Sequence, residues 1–252
     1  MCPDDLARPR YSCLLAIALR EHLDGAYPIF HGWEQRNGSV SAGAYDAAHY
    51  ALWEALQPYS LRGWHCTRLT NAEITTIEQT GMHLPSEATL ADKIDALVAA
   101  GAISNDIADV LKQENQSGEP NRADMLHFLF YPPHHAGEWG IGRFFAHWGG
   151  ETLYNSHEDN PVTSAVLGRI GTPCVIEAEI PISHLKPSGG TSDNIVRRYL
   201  ISRGFDTRET TQHEDRIIFP LPAKNVLAIH RHPGPEFLSL TGCADWAGST
   251  FC

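Results

Sequence analysis

The sequence predicts an α+β fold, and three observations carry that expectation. Apolar residues recur at helical spacing through the first sixty positions, short strand-like runs dominate the second half, and the two kinds of segment do not alternate in a regular βαβ rhythm. A parallel doubly wound sheet would need that rhythm.

Taken in order, residues 11–22 carry Leu14, Leu15, Ile17, Ala18 and Leu19 at helical spacing, and residues 42–56 carry Ala44, Ala47, Ala48, Ala51, Leu52 and Leu56. The segment 27–40, rich in Gly, Asn, Ser and aromatics, reads as the connection between these helices. The character of the chain changes near Tyr59. Residues 64–69 form a short aromatic and β-branched run, and Thr70-Asn-Ala-Glu73 follows as a Thr N-cap with Glu three residues on. That is a strand feeding a helix, which continues through Ile74 and Ile77 and closes at Gly81. Leu90, Ile94, Leu97 and Val98 predict a second amphipathic helix ending at Gly101, and Ser104 or Asn105 caps a third through Ile107, Val110 and Leu111. Residues 86–116 thus form a helical pair. After a polar loop over 113–121, the nearly continuous apolar run 125–131 predicts a central strand. Residues 175–180, 216–219 and 226–229 are further strands, and 193–202 is a helix.

At 252 residues and 27.8 kDa the chain is long enough for one large domain, or a medium domain with an N-terminal extension, and it can bury its own core. Nineteen Lys and Arg against thirty Asp and Glu give a net charge of −11. Contact with nucleic acid then has to come from a local basic surface, for which Arg197, Arg198, Arg203 and Arg208 are the candidates if they converge. The longest apolar stretches are too short to span a bilayer, and the first residues lack a charged-then-apolar leader, so the expectation is a cytoplasmic chain with no membrane partner. Six cysteines without a Cys-x-x-Cys pair point to buried or free thiols in a reducing compartment rather than a disulfide scaffold or zinc ribbon.

Several kinds of chemistry are set aside on spacing. His127, His134, His135, His147 and His157 form no His-x-x-x-His or His-Glu-x-x-His pair, so no metal is expected. His65 and Cys66 are strand neighbours and point to opposite faces, which excludes a Cys–His nucleophile there. The glycines of 137–142 lack the Lys-Ser/Thr ending of a phosphate loop. Three separated segments are more informative together. Gly63-Trp-His65-Cys66-Thr67-Arg68-Leu is a strand with His65 and Thr67 on one face and Cys66 and Arg68 on the other. Residues 142–154, Gly-Arg-Phe-Phe145-Ala-His-Trp-Gly-Gly-Glu-Thr-Leu-Tyr154, read as a strand, a glycine turn and the start of a helix. Gln212-His-Glu214-Asp-Arg-Ile-Ile-Phe-Pro sets a carboxylate just before an apolar strand.

In this order the three segments resemble the ADP-ribosyltransferase superfamily, in the His-Tyr-Glu branch typified by diphtheria toxin and the poly(ADP-ribose) polymerases. His65-Cys-Thr67 is similar to that branch's His-Gly-Ser/Thr strand, the Phe144-Phe145-Ala146 stretch with Tyr154 to its Tyr-Phe-Ala … Tyr segment, and Gln212-x-Glu214 to the Gln-x-Glu turn of toxin-type members. The resemblance covers roughly residues 60–232. It implies a split β-sheet core over 59–252, with the helical pair 86–116 as an insertion and residues 1–58 as a helical region packed on the core. It implies NAD as co-substrate, no metal, and the catalytic residues Glu214, His65 and Tyr154. His65, Cys66, Thr67, Arg68, Phe145 and Tyr154 would bind NAD, and Gln212 would face the acceptor. The activity implied is mono-ADP-ribosylation of a macromolecule, RNA or DNA slightly ahead of protein, as the toxin of a toxin–antitoxin or phage-defence system with an antitoxin protein as partner. The competing expectations are a NAD glycohydrolase with the same pocket, and a non-catalytic module that binds NAD, ADP-ribose or a partner protein.

The residue types suit that chemistry. Breaking the nicotinamide–ribose bond generates an oxocarbenium-like centre, the charge problem glycosidases meet with carboxylates, and Glu214 would answer it. His65 would orient the ribose or pyrophosphate, and Tyr154 would stack on the nicotinamide ring, a contact worth about 1 kcal/mol. Arg68 is the anchor that the superfamily's Arg-Ser-Glu branch would use.

Overall fold

The structure is a computed structural model; it describes residues 13–36, 38–186 and 190–248, with side chains from residue 19 onward. In chain order the elements are α1 (Cys13–Glu34), α2 (Ala42–Leu56), β1 (Ser60–Leu69), α3 (Asn71–Thr80), α4 (Glu87–Ala99), α5 (Asn105–Gln113), β2 (Leu126–Leu129), α6 (Gly137–Ala146), α7 (Glu151–His157), α8 (Pro161–Leu167), β3 (Thr172–Pro181), α9 (Gly190–Ser202), β4 (Glu214–Ile217), β5 (Val226–Arg231) and α10 (Pro235–Thr241). The strands make one five-stranded sheet in the order β4-β2-β1-β3-β5. The pairs β1/β2 and β3/β5 are antiparallel. The fold is α+β as expected, but the described strands form one sheet where the resemblance implies a split one.

The chain divides into two compact units, Met1–Arg62 with Pro181–Asp215, and Gly63–Ile180 with Arg216–Cys252. The helical region expected over 1–58 therefore shares its unit with a later stretch of chain. In this first unit α1, α2 and α9 pack together. Phe30 of α1 is fully buried, edge-on to Tyr45 and His49 of α2. Asp193 of α9 accepts from Tyr45 Oη at 2.9 Å and pairs with His49 Nε2 at 2.8 Å, while Arg197 pairs with Glu34 at 3.5 Å and Glu209 at 2.8 Å. The expected connection over 27–40 is a correction: α1 runs through Pro28 to Glu34. Burial of Leu23 and Phe30 on one face outweighs the hydrogen bond that Pro28 removes.

The second unit is built on the sheet. One sheet face presents Trp64 and Cys66 of β1 and Val175 of β3 to Ile141 and Phe145 of α6, Phe237 of α10 and Cys243. A second core joins Leu90, Ile94 and Leu97 of α4 and Ala108 and Leu111 of α5 to Trp148, Leu153, Leu167 and Ile170. The expected Thr70 capping box forms, and Glu73 extends it. Its Oε2 accepts from Thr70 N and from Trp148 Nε1, both at 2.9 Å, and its Oε1 pairs with Lys93 at 3.0 Å. Gly81 ends α3 at φ 90°, where a Cβ would lie 2.0 Å from the Leu221 carbonyl oxygen. That closeness lets Met82 exchange both backbone bonds with Leu221, at 2.8 and 2.9 Å.

Three further expectations are corrected. Residues 142–146 are helical, in α6, rather than a strand. Ile141 and Phe145 share a buried face one helical turn apart, so the Phe-Phe pair that read as β serves a helix. Cys243 is disulfide-bonded, whereas only buried or free thiols were expected; Cys66 and Cys174 are buried and free. The stretch after Pro233 docks through Phe237, Thr241 and Cys243, all fully buried. On α6 Trp139 is 98% exposed, and Trp148 just after that helix is 1% exposed. No helix among the described residues is long and apolar enough to cross a membrane.

Candidate functional site

His65 sits in the middle of β1, and the β1/β2 register pairs Trp64 with Leu129, which sets His65 across from Phe128. The two rings lie 5.7 Å apart. His65 Nδ1 is 2.8 Å from the His127 carbonyl oxygen, which can only accept, so Nδ1 carries the proton and donates. Enclosure of the ring pushes its pKa down to about 4, with the His127 bond opposing the shift and the His127 ring and Lys93 adding to it. At neutral pH His65 is therefore neutral, and its Nε2 presents a lone pair. At Nε2 this side chain can accept a hydrogen bond from a hydroxyl but has no proton to offer. Thr67 shares its face and is likewise partly covered.

The other four members of the expected NAD-binding set lie elsewhere in this unit. Cys66 and Phe145 belong to the core on the opposite sheet face. Arg68 points the same way and is 9% exposed; its Nε donates to the Ile170 carbonyl at 2.7 Å and its Nη1 to the Phe145 carbonyl at 2.9 Å. Burial lowers its pKa from the usual value. Arg68 thus pins two segments to β1 instead of standing ready for phosphate. Tyr154 of α7 is 2% exposed. The Arg143 guanidinium lies 4.1 Å above its ring, Phe144 meets it edge-on at 5.9 Å, and its hydroxyl donates to Glu151 at 3.1 Å. Burial and Glu151 raise the phenol's pKa, so Tyr154 stays protonated. One ring face is already covered by a cation, which a nicotinamide stack would have to displace.

Gln212 and Glu214 belong to the other unit and are both exposed. Thr210 Oγ1 accepts from the Gln212 backbone amide at 3.0 Å. Glu214 opens β4, so the strand begins at the carboxylate rather than after it. Its neighbours fix its direction: Asp215 is 4% exposed and accepts from Thr191 Oγ1 at 3.3 Å, and His213 Nε2 lies 3.1 Å from that same hydroxyl and 3.5 Å from Asp215. With Asp215 held inward, strand alternation turns Glu214 outward. Sequence reasoning passed over this Thr191–His213–Asp215 network. The available signal was the His-Glu-Asp run, whose outer members read as a solvated loop.

The histidines of the expected loop set go to separate structural tasks. His157 is fully buried, 2.7 Å from the Glu114 carbonyl, and His147 bonds Ser164 at 2.9 Å. Among the described residues no three His, Cys, Asp or Glu gather where they could hold a metal ion. Of the four arginines named as candidates for a basic surface, three are engaged. Arg197 pairs with Glu34 and Glu209, Arg198 donates to the Thr211 carbonyl at 3.2 Å, and Arg203 pairs with Asp24. Two cavities open within single units. One of about 530 Å³ is lined by Asp24, Tyr27, Tyr199, Arg203 and Phe205, and one of about 420 Å³ contains the Glu177–His230 pair, 2.9 Å apart.

Comparison of the chain with models of protein families, with curated proteins and with solved structures finds no match.

Proposed function

We propose that the chain is a NAD-dependent mono-ADP-ribosyltransferase, in which Glu214 is the catalytic carboxylate and His65 and Thr67 bind ribose hydroxyls. The observation that supports this best is the state of His65: neutral, protonated on Nδ1, with Nε2 free to accept a hydroxyl proton from the middle of a strand. A ribose fixed in that way presents its anomeric carbon for cleavage. The C1′–N bond breaks, nicotinamide leaves with the bonding pair, and the oxocarbenium charge that results is the kind a catalytic carboxylate, the role proposed for Glu214, offsets. The acceptor's nucleophile then closes on C1′ and gives up its proton to water, so that one H+ is released for each nicotinamide. Glu214 turned outward by its anchored neighbour Asp215 suits a group that meets substrate from solvent.

Pairing of Arg197 and Arg203 with carboxylates favours a protein side chain as acceptor over nucleic acid, and it equally favours water, which would make the enzyme a glycohydrolase. A toxin role with a neutralising partner protein rests on the resemblance of the motifs alone. The deciding experiment incubates the full chain with labelled NAD and separate pools of RNA, DNA and cell protein, beside Glu214→Gln. The transferase reading expects label on one pool and a loss of at least about a hundredfold in the variant, the scale of removing one preorganised electrostatic group. Nicotinamide release without transfer would establish the glycohydrolase. Equal turnover by wild type and Glu214→Gln would remove the assignment.

A further inference from the structure

The cavity of about 530 Å³ in the first unit has a lining that selects a kind of ligand. Its walls are aromatic. Tyr27 stacks on His31 at 5.3 Å and meets Phe205 at 6.0 Å and Tyr199 at 6.4 Å, and the Arg203 guanidinium lies 5.2 Å over the Tyr199 ring. Its polar groups converge on Asp24, a lining residue whose Oδ1 accepts from both Tyr199 Oη and Arg203 Nη2, so that Oδ2 is its remaining acceptor. The bond from Tyr199, with the charge of Arg203 and Arg20 beside it, keeps Asp24 ionised by lowering its pKa.

We propose that this cavity binds a nucleotide whose base carries an exocyclic amine, of the adenine or cytosine kind, with the base on the rings of Tyr27 and Phe205, its amino group on Asp24 and its phosphate toward Arg203 and Arg20. Flat aromatic walls favour a planar ligand. The carboxylate asks for a donor, which the exocyclic amino group of adenine or cytosine supplies, whereas uracil's N3–H is flanked by two carbonyl oxygens that repel a carboxylate. An aromatic lining with one acid also suits a quaternary ammonium. Here Arg203 lines the cavity and Arg20 also acts on Asp24, two guanidiniums to one carboxylate, and that local balance favours an anion over a quaternary ammonium. Neither His65 nor Glu214 is among its lining residues, and because NAD itself contains an adenine nucleotide the test includes a His65 variant.

The test is calorimetric titration of the full chain with AMP, CMP, UMP, adenosine and choline, repeated on Asp24→Asn, Arg20→Met and His65→Gln after their folding is checked by circular dichroism. The expected result is binding of AMP and CMP at least about tenfold tighter than UMP, the discrimination a site gains by hydrogen-bonding a substrate group. Asp24→Asn should lose that preference. The exposed Arg20→Met should weaken AMP while leaving adenosine unchanged, and His65→Gln should bind AMP as wild type does. Equal affinity for UMP and AMP, tighter binding of choline than of AMP, no binding at all, or loss of AMP binding in His65→Gln with retention in Asp24→Asn would each overturn the proposal.

Discussion

At His65 a single hydrogen bond to the His127 carbonyl selects the tautomer, and enclosure of the ring then keeps the proton count at one. The folded state binds fewer protons at this site than the unfolded chain between the ordinary histidine value near 6.5 and about 4, so the stability tied to His65 is present above that window and falls as pH drops through it. Between pH 7 and pH 5 wild type should lose about 2 kcal/mol more than His65→Gln, read from denaturant midpoints at the two pH values. Equal losses would mean that the ring is as open to protons as in the unfolded chain. Arg68 belongs to the same strand and makes the opposite prediction. Arg68→Met removes both bonds to buried carbonyls and should destabilise by about 3 kcal/mol, with NAD turnover of the folded fraction unchanged. Placement was legible where a period-2 strand decides the face, as at His65 and Thr67. It was not legible at Arg68, Phe145 and Tyr154, because an arginine or an aromatic serves a ligand or a core equally well and only tertiary packing separates the two.

At the scale of elements, the caps carried most of what could be read in advance. Thr70 and Ser104, both read as caps, accept from a backbone amide three residues on, as does Ser86, which was not; the helices they start run as their spacing predicts. Loss of the hydroxyl in Thr70→Ala should cost about 1 kcal/mol. Glu73→Ala should cost more, about 2–3 kcal/mol, since it strands the Thr70 amide and the buried Trp148 indole as well as Lys93. Thermal midpoints of the two variants check the order, and a larger loss in Thr70→Ala would contradict the central place given to Glu73. Two stretches that the sequence reading assigned otherwise, the end of α1 and α6, have local signals that oppose their packing. Pro28 lies inside α1 and two glycines lie inside α6, and in both helices fully buried aromatics, Phe30 and Phe145, hold the conformation that propensity disfavours.

At the scale of the whole molecule, the division between units does not follow the sequence. It passes between Arg62 and Gly63, between Ile180 and Pro181, and between Asp215 and Arg216, inside β1, β3 and β4. Residues 59–252 were the expected catalytic domain, yet removing 1–58 takes α1 and α2 away from α9, whose Val196 and Leu200 are fully buried. A chain starting at residue 59 should therefore collect in the insoluble fraction or melt without a cooperative transition, as followed by calorimetry. A sharp transition near that of the full chain would show that the later segments stand without the helices.

Trp139 and Trp148 also bracket one short stretch of chain in opposite surroundings. The indole of Trp148, dry and hydrogen-bonded to Glu73, belongs to the blue side of an emission spectrum, and that of Trp139 to the red side, open to iodide. With the other four tryptophans replaced by phenylalanine, Trp64 among them because it is buried too, the pair serves as optical probes: quenching that reaches the blue component then marks the opening of the core around Glu73.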